Sequence, residues 1–162
     1  AIVMPAEAAD CLEGSHLFTL APQSAAAAAA LKTIEVIIEE DLVGNATRVG
    51  EYLLSKLEKL KEEHEIVGDV RGCGLIAGVE IVKSKGTKEP GTEETAKIVY
   101  RAWELGLIVA YTGLHSNVIE LTPPLIISKD HVDQAIEILD QAITDVEEGK
   151  VPDEVLKEFA GW

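Results

Sequence analysis

The chain has 162 residues, of which 47% are hydrophobic, so disorder is excluded and one domain, or one domain with a piece of a second, is expected. Its 29 acidic against 14 basic side chains leave a net charge of −15, which argues against nucleic acid, because neutralising phosphates takes clustered Lys and Arg. No apolar run reaches membrane-span length and no signal peptide is visible.

In chain order, Ile2–Met4 reads as the end of a buried strand closed by Pro5, as if the sequence opened in mid-strand. A short helical turn, Ala6–Leu12, and an irregular loop, Glu13–Pro22, follow. Six alanines, Ala25–Ala30, then lead into "LKTIEVIIEE". Alanine is the strongest helix former and lets another backbone come close, so a helix at a packed interface is expected. A second helical stretch repeats its apolar residues at Val49, Leu53, Leu57 and Leu60, with a break at Gly44 and Asn45 between the two.

The period then changes. Ile66–Val70 and Leu75–Val82 read as strands around a glycine-rich turn, Gly72–Gly74, and Lys83–Gly91 as a polar loop. Thr92 is placed to cap a helix over Glu93–Leu105 that Gly106 ends. Ile108–Tyr111 and Val118–Leu121 are two more strands, and Ser128 caps a helix over His131–Val146 with Val132, Ala135, Ile136, Leu139 and Ile143 on its apolar face. Val151–Trp162 is a tail with a short helix. The order predicts an α+β layer, with helices on one face of a small, mostly antiparallel sheet.

Candidate chemistry is sparse. Cys11 and Cys73 are far apart, and His16, His64, His115 and His131 make no metal-ligand spacing, so no metal is expected. With only two cysteines, a reducing cytoplasm is the simplest setting. "VRGCG" lacks the glycine order and following helix of a dinucleotide site, so Arg71 is expected to tie strands or a domain edge and not to bind substrate. Ser15 and His16 lack a third member for a triad. In "GSHLFTLAPQS" the hydroxyls of Ser15, Thr19 and Ser24 precede a helix start, which suits either ordinary capping or an anion. The remaining oddity is "NVIELTPPL", where Glu120 sits in an apolar run before a double proline. Strand alternation alone would turn Val118, Glu120 and Thr122 to water, with Ile119 and Leu121 inward.

Together these stretches resemble the C-terminal part of the class III aminotransferases, pyridoxal-phosphate enzymes of fold type I. "GSHLFTLAPQSAAAAAALKTIEVI", "GDVRGCGLIAGVEIV", "AKIVYRAWELGLIV" and "NVIELTPPLIIS" fall in the family's order and spacing. Glutamate at 120, where most members have arginine in I-R-(L/F)-x-P-P-L, resembles the racemase branch acting on α-amino-ε-caprolactam and amino acid amides, as does the closing "FAGW". The resemblance implies that residues 1–22 end the large cofactor-binding domain, 23–60 are interdomain helices and 61–162 form the small C-terminal domain. It also implies a homodimer or higher homo-oligomer, with the Thr19 hydroxyl reaching the phosphate of the neighbouring subunit's pyridoxal phosphate. "APQS" departs from the family's Gly-Asn-Pro at that turn.

In most members the arginine grips a substrate carboxylate with paired charged hydrogen bonds, whereas a glutamate repels carboxylates and accepts from N–H groups. Glu120 is therefore a candidate specificity residue for a lactam or amide. No catalytic residue is expected among these residues, because Lys32, Lys56 and Lys83 lie outside any Schiff-base motif. Three readings follow: part of a racemase that is inactive alone, part of an aminotransferase using a 2-oxo acid, or a non-catalytic association domain.

Overall fold

The computed structural model describes residues 5–11 and 23–159. The chain forms two compact units, Ala1–Glu39 and Glu40–Trp162. The first contains α1 (Ala6–Ala9) and α2 (Ser24–Glu39), the second of which carries the alanine run. Strand Ile2–Met4 and the loop bearing Ser15, His16 and Thr19 lie outside the described residues.

The second unit opens with α3 (Leu42–Glu63). The break before it falls at Asp41, whose φ of 48° is left-handed, and not at Gly44 and Asn45 as the glycine suggested. Both of those residues lie inside α3. Gly44 has another cause: a Cβ there would stand 2.2 Å from the Asp41 carboxylate, which folds over it. Asn45 reaches away from the helix, donating from Nδ2 to the carbonyls of Leu125 at 2.7 Å and Ile127 at 3.1 Å.

Four strands follow in the spatial order β1 (Val67–Cys73), β2 (Ile76–Ile81), β4 (Val118–Leu121), β3 (Ala110–Thr112), every pair antiparallel. The first hairpin turns over Gly74 and Leu75 alone, tighter than the expected Gly72–Gly74 turn, because Gly74 takes a φ of 57° that glycine adopts without strain. β1 therefore runs on through Gly72 and Cys73. A register shift between Val67 and Asp69 inserts an extra residue, so Val67 and Val70 both point into the core although three residues apart. β3 starts later than the expected Ile108 because it pairs only where β4 lies opposite, from Ala110↔Glu120 to Thr112↔Val118.

α4 (Thr92–Glu104) and α5 (Lys129–Glu147) pack with α3 on one face of this sheet. Leu57, Ile81, Ile98, Ile119, Leu139 and Ile143 are fully buried between the layers, which accounts for the unit's cohesion through apolar burial. Thr92 does not cap α4. Gly91 holds the cap position without a side-chain hydrogen bond, and Thr92 Oγ1 donates instead to the His115 carbonyl at 2.7 Å. Ser128 does cap α5, accepting from the His131 N–H, and α5 starts two residues before the expected His131. Gly106, with φ 101°, closes α4 as expected. A 3-10 turn, Asp153–Val155, leads into α6 (Leu156–Phe159).

Candidate functional site

Among the described residues of the second unit no helix packs on the sheet's other face, and Glu120 stands on it. The alternation reading holds for its neighbours: Ile119 is fully buried on the helix side and Glu120 is exposed. Register places Arg71, Gly78, Glu120 and Ala110 in one row across the four strands. Gly78 and Ala110 flank Glu120, so little side-chain bulk screens its carboxylate on either side. Arg71 is committed within β1 and β2, donating to Glu80 at 2.7 Å and to Asp69 at 3.1 Å. The strand-tying role expected for it is what the structure shows. Among the described residues, none pairs with the Glu120 carboxylate.

Glu120 also borders a groove of about 600 Å³. Its floor is apolar, from Leu53 of α3, Leu121 of β4 and Ile136 and Leu139 of α5. One rim is the stretch Leu107–Ala110 leading into β3, and the other is Thr122, Pro123 and Pro124. The double proline is thus the wall of a groove, and its loop is held in place by the two Asn45 hydrogen bonds from α3. Tyr52 adds a second tie, donating to both oxygens of Asp133 at 2.8 and 3.0 Å and so joining α3 to the first turns of α5. Lys56 pairs with the same carboxylate at 2.7 Å. That contact raises the Lys56 pKa above the usual lysine range, through the Asp133 hydrogen bond first.

His131 lines the groove as well, with Nδ1 2.8 Å from Ser128 Oγ. The sequence marks Asn45 only as part of a helix break and His131 only as one of four scattered histidines, neither as part of a site. The one local signal was Ser128-x-x-His131, which puts the ring on the first turn beside the capping hydroxyl.

Among the described residues the polar side chains of the groove are therefore one carboxylate, one hydroxyl and one imidazole, and no lysine lines it. Pyridoxal phosphate needs a lysine for its aldehyde and several donors for its phosphate, so these residues do not fit it. Lys32, Lys56 and Lys83 are engaged elsewhere, with Glu35, Asp133 and Glu89 in turn. Thr19, the candidate phosphate contact, is outside the described residues. Among the described residues no cluster of His, Cys, Asp or Glu is arranged to hold a metal ion. No helix among them is long and apolar enough to cross a membrane.

Residues 1–143 match the family model for class III aminotransferases. The chain belongs to that family. It is 48% identical over its whole length to a leucine/methionine racemase of Thermococcus litoralis, covering 36% of that protein. It is 47% identical over 93% of its length to an alanine/serine racemase of Pyrococcus horikoshii, covering 31% of that one. An alanine–glyoxylate aminotransferase homologue of Arabidopsis thaliana is 42% identical over 80% of the chain and is covered to 27%. Among solved structures, a transaminase from the marine bacterium Virgibacillus superposes with a TM-score of 0.78 at 41% identity, over 83% of this class III chain and 31% of that one. This chain thus spans about a third of the length of the relatives it matches.

Proposed function

We propose that this chain is the C-terminal part of a pyridoxal-phosphate-dependent racemase that removes and returns the α-proton of an amino acid derivative. The carrying observation is Glu120, exposed on β4 with no cation opposite it among the described residues. An anion at that position accepts N–H groups and repels carboxylates, which favours a lactam or an amide over a free amino acid. The reaction class draws support from the racemases of leucine/methionine and alanine/serine, at 48% and 47% identity. Their names speak of amino acids, so the substrate class rests on Glu120 alone.

The cofactor, and the lysine that carries it, belong in this reading to the rest of the protein. The groove beside Glu120 has neither, and the 162 residues by themselves are proposed to be catalytically silent. Thr19 keeps its proposed role as a hydroxyl donor to the cofactor phosphate of a neighbouring subunit. That role makes the intact enzyme a homodimer or larger.

A second reading, an aminotransferase, is favoured by the 42% identical alanine–glyoxylate aminotransferase homologue. The two separate in one experiment. The intact protein, with pyridoxal phosphate, is given single-enantiomer leucine, leucinamide and an α-amino lactam in heavy water without any 2-oxo acid. Racemisation with α-deuterium uptake, fastest for the amide or lactam, is the expected result. Racemisation of leucine alone would remove Glu120 from substrate choice. Silence until a 2-oxo acid is added would make the enzyme an aminotransferase.

A further inference from the structure

His64 ends α3, is 6% exposed, and has a carboxylate on each ring nitrogen. Nε2 lies 2.7 Å from Asp140 Oδ1, and Nδ1 lies 2.8 Å from Glu147 Oε2. Both carboxylates come from α5, two helical turns apart. Neutral imidazole has one N–H and one lone pair, so it satisfies only one of these acceptors. The arrangement is complete only with imidazolium.

The two acceptors are not equivalent. Glu147 is also held by the Ile66 N–H, which donates to its other oxygen at 3.2 Å, and its side chain is 26% exposed. Among the described residues Asp140 has no such second tie, and its side chain is 48% exposed. Glu62 and Glu63 beside His64 are exposed, and other charges near this end of α3 are paired. Lys61 pairs with Glu58 and Asp69, Lys85 donates to the Lys61 carbonyl, and Glu65 accepts from the Lys85 backbone.

We infer that His64, Asp140 and Glu147 form a proton-operated clamp between the end of α3 and α5. When the ring loses its proton, the Nδ1–H to Glu147 is kept and Asp140 is released to solvent. The proton stays on Nδ1, donated to Glu147, because the Ile66 N–H already fixes that carboxylate against the ring, whereas Asp140 turns outward at little cost. Free histidine prefers the Nε2–H tautomer, so the clamp selects the less common form. Burial works against the charged ring, but Glu147 and Asp140 outweigh it and hold His64 above the ordinary 6.5. A raised value means the clamp is fully closed below about pH 6.5 and opens as pH rises through the folded value.

The test is a nitrogen-15 titration of the ring signals in the folded protein, with His64 assigned by its loss in His64→Gln. The expected result is a midpoint above that of the other histidines, ending in an Nδ1–H ring. In Asp140→Asn the midpoint drops and the Nδ1–H end state stays. In Glu147→Gln the end state moves to Nε2–H. An Nε2–H ring at high pH in the unaltered protein would overturn the order of release. An unraised midpoint there would overturn the clamp itself. Both of those readings come from the unaltered chain, so they stand if a variant fails to fold.

Discussion

Gly50 of α3 and Gly74 of the β1–β2 turn touch backbone to backbone: a Cβ on Gly50 would fall 2.2 Å from the Gly74 carbonyl oxygen. The glycines of "VRGCG" have their own local causes: a Cβ on Gly72 would stand 2.5 Å from the Ile76 carbonyl oxygen, and Gly74 takes a left-handed φ of 57°. Gly50 and Gly74 tolerate a methyl group differently. At Gly50 the obstacle is main chain, which cannot rotate away, so Gly50→Ala must push α3 off the hairpin. A loss of about 3 kcal/mol is expected, the upper end for an overpacked core. At Gly74 the nearest atom to an added Cβ is 3.6 Å away, and only the left-handed φ of 57° opposes it. Gly74→Ala is expected to lose about 1 kcal/mol. Urea unfolding midpoints at one pH rank the pair, and equal losses would mean that the close approach yields.

Ser128→Ala tests the cap on α5. The Ser128 hydroxyl accepts from the His131 N–H at a long 3.4 Å and contacts the His131 ring at 2.8 Å. The stretched cap bond places the expected loss near the low end of the usual range, about 0.5–1 kcal/mol. Ser128→Asp should recover it, since a carboxylate reaches the same N–H and favours the positive helix end. Thermal unfolding of both variants decides, and a full 2 kcal/mol loss would mean that the ring contact carries the cap.

What was legible in the sequence and what was not divide along sequence distance. β4 was read residue for residue from the alternation of Ile119 and Leu121 against Val118 and Glu120, and Ser128 announced α5 by a hydroxyl three residues before its partner. Both signals are local. The reading failed where a residue answers to something remote. Thr92 looked like a cap, yet its hydroxyl serves a carbonyl 23 residues on. Gly44 looked like a break, but it makes room for Asp41 within an unbroken helix. Asn45 holds a loop 80 residues away, and no spacing rule links them. The groove escaped for the same reason, being assembled from α3, the approach to β3, the end of β4 and α5.

Asp145 gives the unit an acid limit. It is 3% exposed on α5, and it accepts from Arg101 Nε at 2.8 Å, Gln141 at 2.9 Å and Lys150 at 3.2 Å. The Arg101 guanidinium first, with Lys150 and Gln141 behind it, outweighs burial and holds its pKa below the ordinary 3.8. A lowered value contributes stability that is fully present above the unfolded pKa and is lost as pH falls through the folded one. Stability should therefore decline as pH falls below about 4. Asp145→Asn should be less stable at neutral pH and show a shallower decline. Urea midpoints across that range check this, and a decline unchanged in the variant would assign the acid sensitivity to other carboxylates.

Glu120→Arg is the most direct test of the role in substrate choice proposed for Glu120. The row Arg71–Gly78–Glu120–Ala110 leaves space on both sides of position 120, so a guanidinium fits without displacing a core residue. Ile119, its buried neighbour, faces the other way, and stability should change by less than about 0.5 kcal/mol, as for other surface substitutions. On the proposed function, the change would replace repulsion of a carboxylate by a bidentate grip in the intact protein. The ratio of kcat/KM for leucinamide over leucine should fall by about a hundredfold, the equivalent of roughly 2.7 kcal/mol between a repelled and a gripped carboxylate. Glu120→Gln removes the charge and keeps the shape, and should fall between the two. An unchanged ratio in both variants would place Glu120 on a solvated sheet face with no substrate near it, and the choice between amide and acid would then belong to residues elsewhere in the protein.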